Sequence, residues 1–391
     1  MLRGWLGCIG ICCRKGLLSR CVSLSTVSWS RPHTAPKVKL IFHLQTSKGI
    51  GPGQLPYNNN IASLVAGLKS AHDVYVGGDR SLASPGDNPT PTCVLMVVQP
   101  LNFNIPDERP IEYGLWDIGV PCYRCDWRDI LTRCKLHDNR TLTFQPIGSA
   151  TVFEVSVVYY RAGYDAAEYA EDSGRGTRLL LEMSRAIKCP DVLTHLSTFK
   201  AVQQALGELG VAERFLAHAS LSSQAKRAAV RETFMPMHVL NTSQEGLAAR
   251  AIATEPAKAR DYVLKPNLEG GGHNIYRDDI PAFLSHEVPE EDWHKYILMR
   301  LIASPPSIKG TLLASEEIYE GDVVSELGVL GFVMWRRKLG ASTGAAGNRT
   351  PTEVEILRNN VAGWTFKTKP VAVDEMSVVK GYGCFDCPVL V

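Results

Sequence analysis

The sequence predicts an α/β protein with a parallel sheet, and three observations predict it. Cys93–Val98 is a continuous apolar run bounded by turn residues, the pattern of a fully buried strand. Asp107–Trp116 follows it as a helix, Val120-Pro121-Cys122-Tyr123 starts a second strand and Val152–Tyr160, which alternates and then runs apolar, is a third strand, so strand, helix and strand follow at the separations of a βαβ unit. The third is the run Val263-Leu264-Lys265-Pro266-Asn267-Leu268-Glu269-Gly270-Gly271-Gly272-His273-Asn274, in which a short apolar strand delivers a lysine to a glycine-rich bend. Successive unhindered backbone N–H groups can turn inward together and cradle phosphate oxygens, with the lysine adding fixed positive charge. Glu269 stands where a magnesium ion accompanying a polyphosphate would find a hard oxygen ligand. Taken alone, the glycine run also reads as a surface turn.

The remaining elements follow in order. Asn60–Tyr75 has helical apolar spacing through Ile61, Leu64, Val65, Leu68 and His72, and Gly77–Pro91 is a turn-rich break. Helices are expected at Gly176–Ile187, Thr198–Leu209, Ala212–His218, Ser223–Thr233, Gln244–Ala253 and Ile280–His286. Further strands are expected at Tyr262–Lys265, Tyr296–Ile302, Val323–Leu327 and Gly331–Trp335, and Leu339–Pro351 reads as a flexible excursion. Ligands of parallel sheets collect beyond the carboxyl ends of strands, which places Gln99–Asn104 and Arg161–Tyr164 at a candidate substrate crevice.

Composition bounds the function. A chain of 391 residues, 45% hydrophobic and with formal net charge +2, can bury sizeable cores and carries no global field favouring nucleic acid or a membrane surface. No run approaches the roughly 20 apolar residues that span a bilayer. Charge is unevenly placed: no Asp or Glu precedes Asp73, and residues 1–45 form an acidic-poor, Arg- and Ser-containing leader. Such a leader reads as a mitochondrial transit peptide or as non-native upstream sequence. Of 11 cysteines, Cys122/Cys125 and Cys384/Cys387 have C-x-x-C spacing, which suits zinc or a redox pair, against the reading of ordinary reduced thiols.

Several stretches together resemble the eukaryotic glutathione synthetase family, of the ATP-grasp group. Arg185-Ala-Ile-Lys-Cys-Pro-Asp191 followed by Thr198-Phe-Lys-Ala-Val-Gln-Gln204 is similar to the family's approach to its V-Q-Q helix. Leu264–Tyr276 resembles L-K-P-x-x-E-G-G-G-x-N-x-Y, Tyr296–Met299 resembles Y-I-L-M, and Ser325–Gly328 resembles S-E-L-G. Lys367-Thr-Lys369 stands where the family has R-T-K, and Asp386-Cys-Pro388 resembles its closing D-x-P. Order and spacing agree from about Leu55 to Val391.

The resemblance implies an ATP-grasp fold with an adjoining parallel α/β substrate-binding domain: residues 46–91 a helical remnant of the amino-terminal part, 92–196 the substrate-binding domain and 197–391 the ATP-grasp domain. It implies a cytoplasmic ligase, mitochondrial if the leader is a transit peptide, and a homodimer, joining γ-glutamylcysteine to glycine with ATP and Mg2+ through an acyl phosphate. The alternative is a truncated ATP-grasp protein that binds nucleotide without catalysis. Lys265 would hold ATP phosphates and Glu269 magnesium, with Gly270, Gly271, Gly272, His273, Asn274 and Tyr276 around the triphosphate. Met299, Arg300, Leu301 and Ile302 would line the adenine through their backbone, and Glu326 would reach the ribose. Lys200, Lys369 and Glu375 would complete the nucleotide site. Arg161, Tyr164, Asn102, Phe103, Asn104, Glu108 and Lys367 would meet the dipeptide, under a loop carrying Val378 and Val379, with Lys265 and Lys367 as the catalytic cations.

Departures are also visible. The family's E-x-N magnesium motif does not occur in these residues, Ala201 replaces a second lysine before V-Q-Q, and Met376-Ser377 follows Glu375 where the family has paired glycines. Leu339–Glu353 reads as an insertion, and Arg300 stands where many members have glutamate.

Overall fold

The structure is a computed structural model. It describes residues 21–23, 49–78, 90–102, 104–216, 223–267, 273–314, 317–337, 354–376, 378, 381, 383–388 and 390. Its strands are β1 (Cys21–Ser23), β2 (Thr92–Val98), β3 (Cys122–Asp126), β4 (Cys134–Leu136), β5 (Leu142–Phe144), β6 (Phe153–Tyr160), β7 (Ile187–Cys189), β8 (Met237–Val239), β9 (Tyr262–Pro266), β10 (Ile275–Tyr276), β11 (Tyr296–Arg300), β12 (Ile308–Ala314), β13 (Glu317–Arg337), β14 (Val354–Pro370) and β15 (Cys384–Pro388). The described helices of eight residues or more are α1 (Asn60–Gly77), α2 (Ile105–Asp117), α3 (Asp172–Met183), α4 (Lys200–Gly207), α5 (Gln224–Arg231), α6 (Gln244–Ala253) and α7 (Asp279–His286). The chain divides into a unit over Asn59–Thr198 and a unit over Phe199–Val391 joined by residues ahead of Asn59.

In the Asn59–Thr198 unit the sheet order is β3-β2-β6-β5-β4, with β7 also beside β6. β2 pairs in parallel with β3 and β6, and β6 with β7, so the expected βαβ crossover through α2 is present. β2 lies between two parallel neighbours and is buried from Cys93 to Val98, which is why its sequence is apolar without alternation. α1 turns Val65, Leu68, Ala71 and Tyr75 inward, the i, i+3, i+6 and i+10 spacing of one helical face. The helix expected at Gly176–Ile187 instead runs Asp172–Met183, and Ile187 begins β7 because pairing with Val157 of β6 outweighs local helical spacing.

Lys188 lies in the middle of β7, its ammonium bonded to the Ser184 carbonyl. Burial pulls its pKa down to about 8, against the opposing pull of Glu182 and Asp191. The folded chain therefore releases this proton before the unfolded chain does, and stability rises as pH climbs from about 8 toward the ordinary lysine value. Thermal melts of wild type and Lys188→Met should show the difference in Tm moving toward wild type between about pH 7 and pH 10. A constant difference would show that Lys188 titrates like a surface lysine.

The second unit holds two antiparallel sheets, β10-β9-β11-β8 and β1-β15-β14-β13-β12. In the first, Leu264 of β9 sits opposite Leu298 of β11, both fully enclosed against Ala249 and Ala253 of α6 and Ile280 and Leu284 of α7. Side chains alternate along a strand, so Lys265 leaves on the face away from these helices. In the second sheet, β13 runs unbroken through both segments read as separate strands, with register shifts at Leu330/Gly331 and Met334/Trp335. The excursion at Leu339–Pro351 lies outside the described residues. No helix among the described residues is long and apolar enough to cross a membrane.

Candidate nucleotide site

Lys265 is fixed by the strand beside it. Its register partner is Ile297 in β11, and two residues on Asn267 donates its N–H to the Lys295 carbonyl at 3.0 Å. Asn267 Oδ1 accepts the N–H of Ala201 at 2.9 Å. Phe199, the cap of α4, offers no side-chain hydrogen bond, so Asn267 satisfies a donor that the first turn would otherwise leave open. This bond ties the start of α4, and Lys200 with it, to the end of β9.

A second wall comes from β13 and β14. Glu326 and Lys367 are directly opposite in register and form an ion pair of 2.9 Å. Lys369 leaves the same strand two residues later and donates to the Val373 carbonyl. The following turn carries Asp374, which pairs with Arg277 at 3.2 Å, and Glu375. Arg277 has φ 53, a left-handed conformation for a residue with a side chain, and follows Tyr276, whose hydroxyl accepts from Asn274 Nδ2 at 3.3 Å.

The charges act on one another. Burial lowers the Lys265 ammonium below its ordinary range, and Lys200 lowers it further, while Glu375 and Glu326 pull the other way. Lys369 is also held low, first by burial and further by Arg277, against Asp374 and Glu326. Burial raises the Tyr276 phenol, with Glu375 and Asp374 adding to the shift. Cations outnumber carboxylates in this group and are drawn from separate strands and one helix start, an arrangement suited to a compact polyanion.

The structure thus brings together Lys200, Lys265, Asn274, Tyr276, Glu326, Lys367, Lys369 and Glu375. Glu326 and Lys367, assigned to ribose and dipeptide, engage each other. Glu269, Gly270, Gly271 and Gly272 lie outside the described residues, as do Phe103 and Val379; His273 is exposed, and Val378 is partly enclosed in the turn after Glu375. β11 ends at Arg300, so Leu301 and Ile302 follow the strand. The N–H groups of Arg300 and Leu301 are donated to the carbonyls of Pro236 and Asp261, at 3.0 and 2.8 Å, and Met299 is paired in register with Val263 of β9 and Met237 of β8. Sequence reasoning missed Asn267, Arg277 and Asp374; each lies within two residues of one it had chosen, but their partnerships are long-range.

In the Asn59–Thr198 unit the strand ends gather a second group. Arg161 begins where β6 stops, its N–H donated to the Val97 carbonyl of β2 at 2.7 Å. Gly163 has φ +83, and a Cβ there would meet the Trp127 ring at 2.6 Å, so this turn is built for glycine. Glu168 Oε2 accepts the N–H groups of Gly163, Tyr164 and Asp165 at 3.0, 3.1 and 2.8 Å, fixing the turn. Tyr164 bonds to the Asn104 side chain, and Asn102 Oδ1 accepts the Asn104 N–H at 2.9 Å. The Gln99–Asn104 and Arg161–Tyr164 segments therefore adjoin.

The Cys122/Cys125 pair lies within β3, where residues three apart point to opposite faces. Both thiols are buried, and burial raises both pKa values, that of Cys125 to about 12, the reverse of a reactive or metal-binding thiolate. Cys384 is buried in β15, and the Cys387 side chain lies outside the described residues. Among the described residues no group of three His, Cys, Asp or Glu could hold a metal ion.

The fold is of the α/β class, with a parallel sheet in the Asn59–Thr198 unit and two antiparallel sheets in the other. A family model described as eukaryotic glutathione synthase, ATP binding domain, matches residues 18–390, and the chain belongs to that family. The match begins inside the segment read as a leader, just ahead of β1. The glutathione synthetase large chain of Schizosaccharomyces pombe is 35% identical over 340 residues, covering 86% of this chain and 63% of that protein. The Homo sapiens glutathione synthetase is 30% identical over 342 residues, covering 88% and 64%. The chain thus spans less than two thirds of the length of these relatives. A glutathione synthetase-like effector from Globodera pallida, solved in its apo form, superposes with TM-score 0.58 at 17% identity over 95% of this chain and 70% of its own.

Proposed function

We propose that this protein is an ATP-dependent carbon–nitrogen ligase that joins glycine to γ-glutamylcysteine. The observation that carries the reading is the family match over residues 18–390 together with Lys200 acting on Lys265 and Glu326 acting on both Lys265 and Lys369. A carboxylate is a poor electrophile. Transfer of the γ-phosphoryl group to the dipeptide's glycyl-accepting carboxylate gives an acyl phosphate and ADP. The glycine amine then attacks that carbonyl carbon, a proton leaves the amine, and inorganic phosphate departs as the new amide forms. Such transfer rests on positioning and charge neutralisation, for which lysines from separate elements suffice without a protein nucleophile.

In this reading Lys265 and Lys200 face the phosphates from β9 and α4, and Lys369 approaches from β14. Lys367 is held by Glu326, so it meets substrate charge only by exchanging that partner. Asn274 and Tyr276 flank the same space. Magnesium would be held by Glu269 with phosphate oxygens and water, and would supply further charge neutralisation. Arg161, Asn104 and Tyr164 would receive the dipeptide in the Asn59–Thr198 unit.

Purified full-length chain should release phosphate from ATP only when γ-glutamylcysteine and glycine are both supplied, with the tripeptide formed in step. ATP hydrolysis without tripeptide would overturn the ligase reading. Nucleotide binding without any turnover would reduce the protein to an ATP-binding relative.

A further inference from the structure

We infer that Glu108 is a positioning residue: its enclosed carboxylate holds Arg161 and the Asn102–Asn104 turn in place for the dipeptide, and does not itself touch substrate. The inference rests on the proposed dipeptide site and goes beyond it by assigning what sets its geometry. Glu108 lies in the first turn of α2 and is 1% exposed, so its side chain is closed to a ligand. Its Oε2 accepts from Asn102 Nδ2 at 2.6 Å, and Asn102 in turn accepts the Asn104 N–H. Its Oε1 stands 3.9 Å from Arg161 Nε, and neither of these buried atoms has a hydrogen-bond partner. Arg124 approaches the same carboxylate from β3 at 4.0 Å and bonds to Glu112 at 3.2 Å, while Arg109 bonds to Glu112 at 2.8 Å. Asp107, on the exposed side, stands 3.8 Å from Arg161.

Carboxylates and guanidiniums therefore alternate from Asp107 through Arg161, Glu108, Arg124 and Glu112 to Arg109. Arg161 keeps part of its guanidinium outside this ladder, at 28% side-chain exposure, and that part is what a substrate carboxylate can meet. A buried carboxylate at the centre of such a chain fixes direction more than it adds binding energy, because its own desolvation offsets much of the attraction. Glu108 thus reaches two candidate substrate contacts at once, one through charge and one through the Asn102 amide.

The experiment is calorimetric titration of the full-length protein with γ-glutamylcysteine and, separately, with Mg-ATP, on wild type, R161A, E108Q, E108A and the E108A/R161A double variant. R161A tests the dipeptide site itself: unchanged affinity there would overturn the underlying reading, and the inference with it. With R161A impaired, E108A should weaken the dipeptide about tenfold and leave Mg-ATP within about twofold. E108Q, which keeps an acceptor for Asn102 but loses the charge facing Arg161, should fall between them. The double variant should lose clearly less than the two single losses combined, since the part of the Glu108 role that runs through Arg161 is already gone and only its hold on Asn102 remains. Dipeptide affinity unchanged in both Glu108 variants would overturn the positioning role while leaving the site standing. Fully additive losses in the double variant would overturn it in favour of direct contact. If E108A fails to fold, E108Q alone and in combination with R161A carries the same comparison.

Discussion

Lys265→Ala should weaken ATP by at least about a hundredfold, because a charged partner of the phosphates is removed from a partly enclosed site. The same change should leave Tm unchanged or raise it. Burial and Lys200 hold the Lys265 ammonium below its ordinary range, so the folded protein carries this charge at a cost that alanine does not. Calorimetry with Mg-ATP and thermal melts of the ligand-free protein check the two halves independently. Retained affinity would show that the strand-to-glycine run is not the phosphate anchor. A large fall in Tm with retained affinity would make Lys265 a structural residue.

Leu264→Ala, one residue earlier, should do the opposite. Leu264 is fully buried beside Leu298, Ile280 and Leu284, and truncation there removes apolar contact and opens a cavity. The expected loss is roughly 2–5 kcal/mol of unfolding free energy, set by how far α6 and α7 can close the gap. Urea melts measure it. A loss under about 1 kcal/mol would mean that this face of β9 is not a packed core. Neighbouring residues on opposite faces of one strand thus divide stability from binding.

Much of this division is legible in the sequence. An apolar run ending in Lys-Pro announces a strand with one polar exit, and β9 begins at Tyr262 as expected and closes at Pro266. β2 is legible because a strand buried on both faces needs uninterrupted apolar residues, and β6 because it alternates before it runs apolar. β14 was not legible, because Val354–Pro370 mixes Asn, Gly, Lys and Thr and owes its conformation to a long antiparallel partner. The C-x-x-C spacing left zinc, redox and ordinary-thiol readings side by side for a related reason: three residues apart means one site on a turn and opposite faces on a strand. At the site, individual lysines and carboxylates could be nominated, but the pairing of Glu326 with Lys367 and of Arg277 with Asp374 depends on register between distant segments. Geometry of that kind is written in tertiary contacts and not in spacing.

The Ala201–Asn267 bond has a consequence for selectivity. By fastening the helix start to the strand end, it keeps two ammonium groups close whatever occupies the space between them, so their mutual repulsion is borne by the scaffold. A guest with several clustered negative charges relieves that repulsion at both groups, whereas a singly charged one does so at best once. On the proposed function, nucleoside triphosphates should thereby be favoured over monophosphates by charge count, before any base or sugar is recognised. Mobile ions screen both cations equally for every guest, so rising ionic strength should compress this preference sooner than it abolishes binding.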